Sequence, residues 1–117
     1  MNKIGRTIIA KYKGKGAALG VEKAAEIVDE HVTFELNENQ WAALVCFVDN
    51  IGMASFIGSK LLQYLNNGWI DPSKEPNVPD EILLWTVWDN KQYKAMVERR
   101  EAERALFVRP VLIQNKG

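Results

Sequence analysis

The chain has 117 residues, 47% of them hydrophobic, so it can bury a core of its own and is expected to form one domain over residues 1–117. Its 15 basic residues balance 15 acidic ones, which favours neither a nucleic-acid partner nor a membrane surface. No segment approaches the roughly 18 apolar residues of a membrane span, and the N-terminus lacks the apolar region of a signal peptide. We therefore expect a protein that is cytoplasmic as synthesised.

The first predicted element is a short amphipathic helix from Lys3 to about Tyr12, because its isoleucines fall near helical spacing. A strand centred on residues 7–9 is the alternative. Gly14 and Gly16 end this element. Residues 1–16 contain no acid and five basic side chains, which are Lys3, Arg6, Lys11, Lys13 and Lys15. The segment is interpreted as a basic first helix followed by a glycine-rich turn.

A second amphipathic helix is predicted from Val21 to His31. Its apolar stripe recurs at helical spacing and consists of Val21, Ala24, Ala25, Val28 and Val32. His31 is the only histidine in the sequence and has no second ligand candidate nearby, so no metal site is predicted. The residues from Thr33 to Leu36 are expected to form an extended connector.

The most strongly specified element is a helix capped by Asn37 and ended by Gly52. Asn37 and Gln40 have the spacing of a capping box, in which each side chain binds the backbone N–H of the other residue. Residues 41–48 contain no charge, and a helix that is apolar all round is surrounded by its domain. The sole cysteine, Cys46, is therefore expected to be a packed thiol. This helix should form the centre of the fold.

The remainder of the chain is also predicted to be helical. Ser59 caps a helix that closes at Gly68, and a proline-rich loop over residues 71–79 follows. Another helix is expected over residues 79–88, and a final one over residues 92–108, which Pro110 prevents from continuing. The inward residues predicted for this final helix are Tyr93, Met96, Val97, Ala105 and Leu106. The fold class predicted from these elements is an all-α, compact helical bundle, with residues 108–117 as a tail.

Three blocks of sequence resemble the large-lobe helices of phage-type lysozymes, the endolysins of glycoside hydrolase family 24. They are LNENQWAALVCFVDNIG at 36–52, FIGSKLLQYLNNG at 56–68 and VERREAERALF at 97–107. The family's corresponding motifs are Leu-Thr-x-x-Gln before Ala-Leu-Val-x-Phe and Asn-x-Gly, Ser-Thr-Leu-Leu before Leu-Asn-x-Gly, and Arg-Arg-x-x-Glu-x-x-Leu-Phe. The resemblance covers residues 20–107 and implies a bundle like the large helical lobe of these enzymes.

The catalytic module of the family is not recognisable in this sequence. In the family, an N-terminal helix ends in Phe-Glu-Gly, whose glutamate is the general acid, and a small β-rich lobe supplies the second carboxylate. Here the matching segment reads Tyr12-Lys13-Gly14, and the next family-like helix begins within a few residues. Glycosidic cleavage needs two carboxyl groups, and a lysine replaces neither. The resemblance thus places Lys13 at the catalytic glutamate position and predicts no catalytic residue.

Five residues are candidates for binding. The resemblance places Asn50 at a family position that faces the cleft, where it would contact glycan or simply close its helix. It also places Arg99 and Arg100 near the family's catalytic acid, where they would face Lys13. Glu98 would then compensate by pairing with Lys13, a hypothesis that rests only on these charge changes. The fifth candidate is Asp49.

Asp49 and the tryptophans each allow two interpretations. Asp49 would serve with Glu98 or Glu101 in a rearranged catalytic site, or it is a cap or salt-bridge residue at its helix end. The tryptophans would stack on sugars if exposed, whereas Trp41 and Trp85 are expected in the core because they lie at helical spacing among leucines.

The leading hypothesis is a catalytically inactive lysozyme-like phage or prophage protein that binds peptidoglycan or a protein partner. One alternative is a structural or regulatory phage protein that uses the scaffold and self-associates, and a second is a peptidoglycan hydrolase (muramidase) with a rearranged site. No cofactor, metal or nucleic-acid partner is predicted. Association with the virion and release to the cell wall are the expected alternatives to a cytoplasmic location.

Overall fold

The computed structural model describes residues 20–88 and 90–111, with only the backbone for Trp88. The predicted first helix, Lys13 and the tail from residue 112 onward lie outside these ranges. The described residues form helices α1 (Val21–His31), α2 (Glu38–Ile51), α3 (Met53–Ile57), α4 (Lys60–Asn66), α5 (Val78–Ile82) and α6 (Lys94–Val108), and strands β1 (Val87–Trp88) and β2 (Lys91–Gln92). None of these helices is long and apolar enough to cross a membrane.

The central helix α2 forms as predicted. The N–H of Gln40 donates to Asn37 Oδ1 at 2.8 Å, and the N–H of Asn37 donates to Gln40 Oε1 at 2.9 Å, so both bonds of the capping box are present. Ten of its residues are buried, including Cys46. The helix packs against α1 and α6, and its apolar character all round is thereby explained.

The helices that flank α2 at its start and end also follow the prediction. In α1, Ala24, Ala25 and Val28 are buried, with Val21 and Val32 packed at the edge of the core. Ser59 Oγ accepts the N–H of Leu62 at 3.1 Å and so caps α4. Gly68 has φ +76 and ends that region in the left-handed conformation that glycine tolerates. Asn77 caps α5, which places Pro79 at the second helical position.

The predicted helix over residues 79–88 is wrong in its second half. The helix α5 ends at Ile82, and residues 83–86 form turns before β1, which pairs with β2 in the register Val87↔Gln92 and Trp88↔Lys91. Asn90 has φ +63, a conformation typical of the tight turn of a hairpin. Val87 is β-branched and Trp88 is aromatic, and such a pair favours a strand when a turn follows. This local preference outweighed the helical preference of the apolar residues before it. The final helix accordingly begins at Lys94.

The inward face of α6 also differs from the prediction. Tyr93 precedes the helix and is 44% exposed, and Ala105 is exposed, whereas Leu106 and Phe107 are buried. The centre of this face consists of Arg100 and Glu103, both fully buried. Two opposite charges at helical spacing neutralise each other, so they occupy an interface that the apolar pattern alone does not predict.

Candidate functional site

A buried cluster of charged side chains joins α2 to α6. Arg99 and Arg100 lie four and three residues before Glu103, so all three side chains project from one side of α6. Arg99 Nε donates to Glu103 Oε2 at 3.2 Å, and Arg100 Nη1 donates to Glu103 Oε1 at 2.5 Å. The Glu103 carboxylate thus bridges the two guanidinium groups. These three residues and Asn50 are called the arginine cluster below.

Arg100 is the most enclosed member, with 0% of its surface exposed. Its Nε donates to Trp85 O at 2.8 Å, and its Nη2 donates to Asn50 Oδ1. The guanidinium also lies over the Phe47 ring, 5.0 Å from the ring centroid. It is therefore held by an anion, a carbonyl, an amide and an aromatic face, which together offset the cost of removing it from water.

Arg99 connects the cluster to the backbone of α2. Its Nη2 donates to the carbonyl oxygen of Cys46 at 3.0 Å, while its Nε remains on Glu103. Its side chain keeps 11% of its surface exposed. Two arginines on α6 thus bind the C-terminal half of α2 through Cys46 and Asn50, which fixes the two helices against each other.

The electrostatics of the cluster follow from its burial. Desolvation raises the pKa of Glu103, against the lowering effect of the charges and hydrogen bonds of Arg100 and Arg99. Desolvation likewise lowers the pKa of Arg100, while the charge of Glu103 raises it. Each group is therefore stabilised in its charged form mainly by the others, as expected for a buried ion network.

The raised pKa of Glu103 predicts a pH dependence of stability. Above the ordinary glutamate value of 4.5, the folded chain retains a proton that the unfolded chain has lost, so the free energy of unfolding decreases as pH rises through that window. The slope reaches at most about 1.4 kcal/mol per pH unit for one proton. We expect Glu103→Gln to flatten this slope in urea unfolding measured at successive pH values. An identical slope in both proteins would contradict this assignment.

Asp49 lies beside the cluster in sequence but has a different partner. It is 1% exposed, and its Oδ1 accepts the N–H of Gly20 at 2.7 Å, immediately before α1. Its Oδ2 is buried and has no hydrogen-bond partner among the described residues. The carboxylate therefore lies at the positive end of the α1 dipole and acts as a cap supplied by another helix.

Glu98 is separated from these groups. It faces solvent and forms an ion pair with Lys94, with 4.0 Å between Nζ and Oε1. Glu101, the other acid considered for a rearranged site, is exposed. The predicted pairing of Glu98 with Lys13 stays a prediction, since Lys13 lies outside the described residues.

Sequence reasoning named Asn50, Arg99 and Arg100, which the structure brings together, and missed Glu103, which bridges them. The signal available for Glu103 was its spacing of three and four residues from the two arginines. Within the described residues, no group of three or more His, Cys, Asp or Glu side chains is arranged to hold a metal ion.

Three of the tryptophans have described side chains, two packed against the core and one at the surface. Trp41 and Trp85 are partly buried and pack against the core, and Trp41 Nε1 donates to Asp29 Oδ1 at 2.9 Å. Trp85 meets Phe47 edge to face, with 5.8 Å between ring centroids. Trp69, by contrast, is 45% exposed. Only Trp69 among these three presents much of its ring to solvent.

Comparison with known proteins assigns the family. The family model of phage lysozyme matches residues 9–103, which span α1 through most of α6. This chain belongs to the phage lysozyme family. The predicted family resemblance and the predicted all-α fold class are confirmed, the short β1–β2 hairpin aside.

Individual relatives of this phage lysozyme family member are endolysins. It is 35% identical over 88 residues to an endolysin of Bacillus phage B103, an alignment that covers 75% of this chain and 32% of that protein. It is 31% identical over 104 residues to the endolysin of Salmonella phage P22, covering 89% of this chain and 67% of the relative. The chain thus spans about a third of the length of the Bacillus phage endolysin.

Solved structures of phage lysozymes share the fold. A P22 lysozyme mutant superimposes with a TM-score of 0.64 at 30% identity, covering 76% of this chain and 57% of that one. The muramidase domain of SpmX from Asticaccaulis excentricus gives a TM-score of 0.67 at 20% identity and covers 93% of this chain and 97% of that domain. A solved domain of nearly the same extent therefore has the same fold.

Proposed function

We propose that this phage lysozyme family member binds peptidoglycan without hydrolysing it. The observation that carries the proposal is the burial of two acids, Glu103 within the arginine cluster and Asp49 next to Asn50 in the sequence. Glu103 and Asp49 are each 1% exposed; Glu103 binds Arg100, and Asp49 binds the N–H of Gly20 through Oδ1, while its Oδ2 has no partner among the described residues. Neither carboxyl reaches a bound glycan without dismantling the packing around it.

Glycoside hydrolysis makes a specific demand on its acids. One carboxyl protonates the leaving oxygen and a second acts as nucleophile or activates water, so both must contact substrate. Glu103 instead binds two guanidinium groups and is 1% exposed, so it does not contact a substrate at the surface. Asp49 binds the N–H of Gly20. The two buried acids thus already stabilise the fold, Glu103 through both carboxylate oxygens and Asp49 through Oδ1.

The sequence supports the same proposal. The family resemblance places Lys13, a cation near neutral pH, at the position of the general acid. It also leaves only a few residues between that position and the next family-like helix, where the family has its small catalytic lobe. A binding surface survives such losses more readily than a reaction that needs two placed carboxyl groups.

A muramidase with a rearranged site is the second candidate. The endolysin relatives at 31–35% identity favour it, and Asp49 with Glu98 or Glu101 would supply the carboxyl groups. A structural or regulatory phage protein that self-associates or binds a protein partner is the third candidate. The first two candidates would act at the cell wall, and the third would act in the virion or in the cytoplasm.

A turbidity assay on purified cell walls, run beside a peptidoglycan pull-down, tests the proposal. We expect the wild-type chain to sediment with peptidoglycan and to leave turbidity unchanged. Clearing that disappears in Asp49→Asn would overturn the proposal in favour of hydrolysis, because this variant keeps an acceptor for Gly20 but loses the carboxylate. Absence of wall binding together with self-association would favour the structural role.

A salt series separates specific binding from simple charge attraction. Residues 1–16 carry five basic side chains and no acid, and exposed charges are screened beyond about 8 Å at physiological ionic strength. We expect sedimentation with peptidoglycan to persist at raised salt. Complete release would instead assign the binding to anionic wall polymers and contradict a shaped glycan site.

A further inference from the structure

A concave surface lies on the connection between α4 and α5, away from the arginine cluster that joins α2 to α6. It has a volume of about 430 Å³, within the range of about 300–1,000 Å³ typical of small-ligand sites. The residues of this groove that matter below are Trp69, Asp71, Lys74, Glu75 and Pro76. We call it the Trp69 groove.

The Trp69 ring is exposed, and its backbone is held in place by hydrogen bonds. Its indole is 45% exposed and leans on Tyr64, with ring centroids 5.5 Å apart and an angle of 38° between the planes. Its N–H donates to Tyr64 O at 3.0 Å, and its carbonyl accepts the N–H of Val78 at 2.9 Å. Because its backbone is held on both sides, little conformational freedom is lost when a ligand covers the ring.

Polar groups surround the ring. Asp71 Oδ1 accepts the N–H and the hydroxyl of Ser73, at 2.9 and 2.7 Å. These bonds orient the Asp71 carboxylate, whose second oxygen makes no bond in the described structure. Glu75 and Lys74 are exposed on the same groove. An aromatic face flanked by carboxylate acceptors is suited to a flat, hydroxylated ring, whose C–H face packs on the indole.

We propose that the Trp69 groove binds an N-acetylhexosamine unit of the peptidoglycan glycan, with the sugar stacked on Trp69 and its hydroxyl groups donating to Asp71 and Glu75. This inference rests on the proposed function and assigns its ligand chemistry. Two carboxylates face one ammonium in the groove, so the neutral sugar is favoured over the acidic peptide stem. The groove is separate from any cleft that the family resemblance places near Asn50.

Titration with chitotetraose, a neutral N-acetylglucosamine oligomer, tests this groove. We expect binding to the wild-type chain and an affinity about tenfold weaker in Trp69→Ala, since the stacked ring is lost. Tyr93→Ala is the matched control, because Tyr93 is 44% exposed but lies outside the groove; its affinity should equal that of the wild type. Glu75→Ala, on the exposed rim, should weaken binding several-fold while leaving the fold intact, which circular dichroism checks.

The outcomes separate this inference from the function on which it rests. No chitotetraose binding by the wild type, or equal affinity in wild type, Trp69→Ala and Glu75→Ala, overturns the groove assignment. Peptidoglycan sedimentation by Trp69→Ala with the same affinity as the wild type would likewise overturn it and leave the proposed function standing. Failure of the wild type to sediment would instead overturn the proposed function, whatever the oligosaccharide titration gives.

Discussion

Replacing Arg100 with alanine is expected to lower the free energy of unfolding by about 3–5 kcal/mol, the cost of breaking a buried ion pair from one side. The side chain is fully buried, and its loss removes donors from Trp85 O, Asn50 and Glu103 at once. Glu103 would keep only Arg99 as a cation, in a space now too large for the remaining side chains. The loss therefore combines an undercompensated charge with a cavity.

Arg104→Ala provides the matched control for this prediction. Arg104 lies on the same helix one turn later, but 31% of its side chain is exposed, and its ion pair with Asp80 lies near the surface at 3.0 Å. Its replacement is expected to cost less than about 1 kcal/mol. Urea unfolding followed by circular dichroism measures both losses. Equal losses of unfolding free energy in the two variants would contradict the prediction, because burial of Arg100 would then not increase the cost of removing it.

A double variant tests whether the charges of Arg100 and Glu103, or only their volume, stabilise the fold. Arg100→Met with Glu103→Leu replaces this ion pair with apolar groups, an exchange that is often neutral or stabilising, but it leaves the mostly buried Arg99 without its carboxylate. We therefore expect this double variant to regain only part of the stability lost in Arg100→Ala, and the addition of Arg99→Met to regain most of it. The arginine cluster would then fix the geometry of α2 against α6 without being required for stability.

The parts of the fold that were predictable from sequence are those with local causes. The capping box of Asn37 and Gln40, the uncharged run that follows it and the left-handed Gly68 are each set by neighbouring residues. These features placed α2 and α4 correctly, as the apolar stripe of Val21–His31 did for α1. Local hydrogen bonding and periodicity decide such elements before tertiary contacts form.

The errors arose where tertiary contacts decide. The inward residues predicted for α6 omitted Arg100 and Glu103, because the sequence alone does not reveal that these two residues neutralise each other against α2. The hairpin is a different case, because its local signal, Val87 beside Trp88 before a turn, was present in the sequence, but the apolar run before it satisfies a helix and a strand equally well. For the candidate site, Asn50 and the two arginines came from family resemblance, whereas the burial of Asp49 depends on the approach of Gly20 from another helix.

Removal of the Phe47 side chain is expected to lower the free energy of unfolding about as much as removal of the Arg100 side chain. Phe47 is fully buried, meets Trp85 edge to face and lies under the Arg100 guanidinium. Phe47→Ala is expected to cost about 3–5 kcal/mol, since a large aromatic group leaves a cavity that close-packed helices fill only in part. Phe47→Leu keeps much of the volume and should cost about 1.5 kcal/mol or slightly more, because it also removes the aromatic face.

The comparison of these variants isolates the contact between ring and cation. A double-mutant cycle of Phe47→Leu with Arg100→Gln, which removes the cation, should give a coupling of about 0.5–2 kcal/mol, since a desolvated guanidinium gains this much over an aromatic face. The same cycle with Arg104→Ala should be additive within about 0.5 kcal/mol. Additivity in both cycles would mean that Phe47 stabilises the protein through volume alone, and that Glu103 with the surrounding carbonyl and amide groups suffices to hold Arg100 out of water.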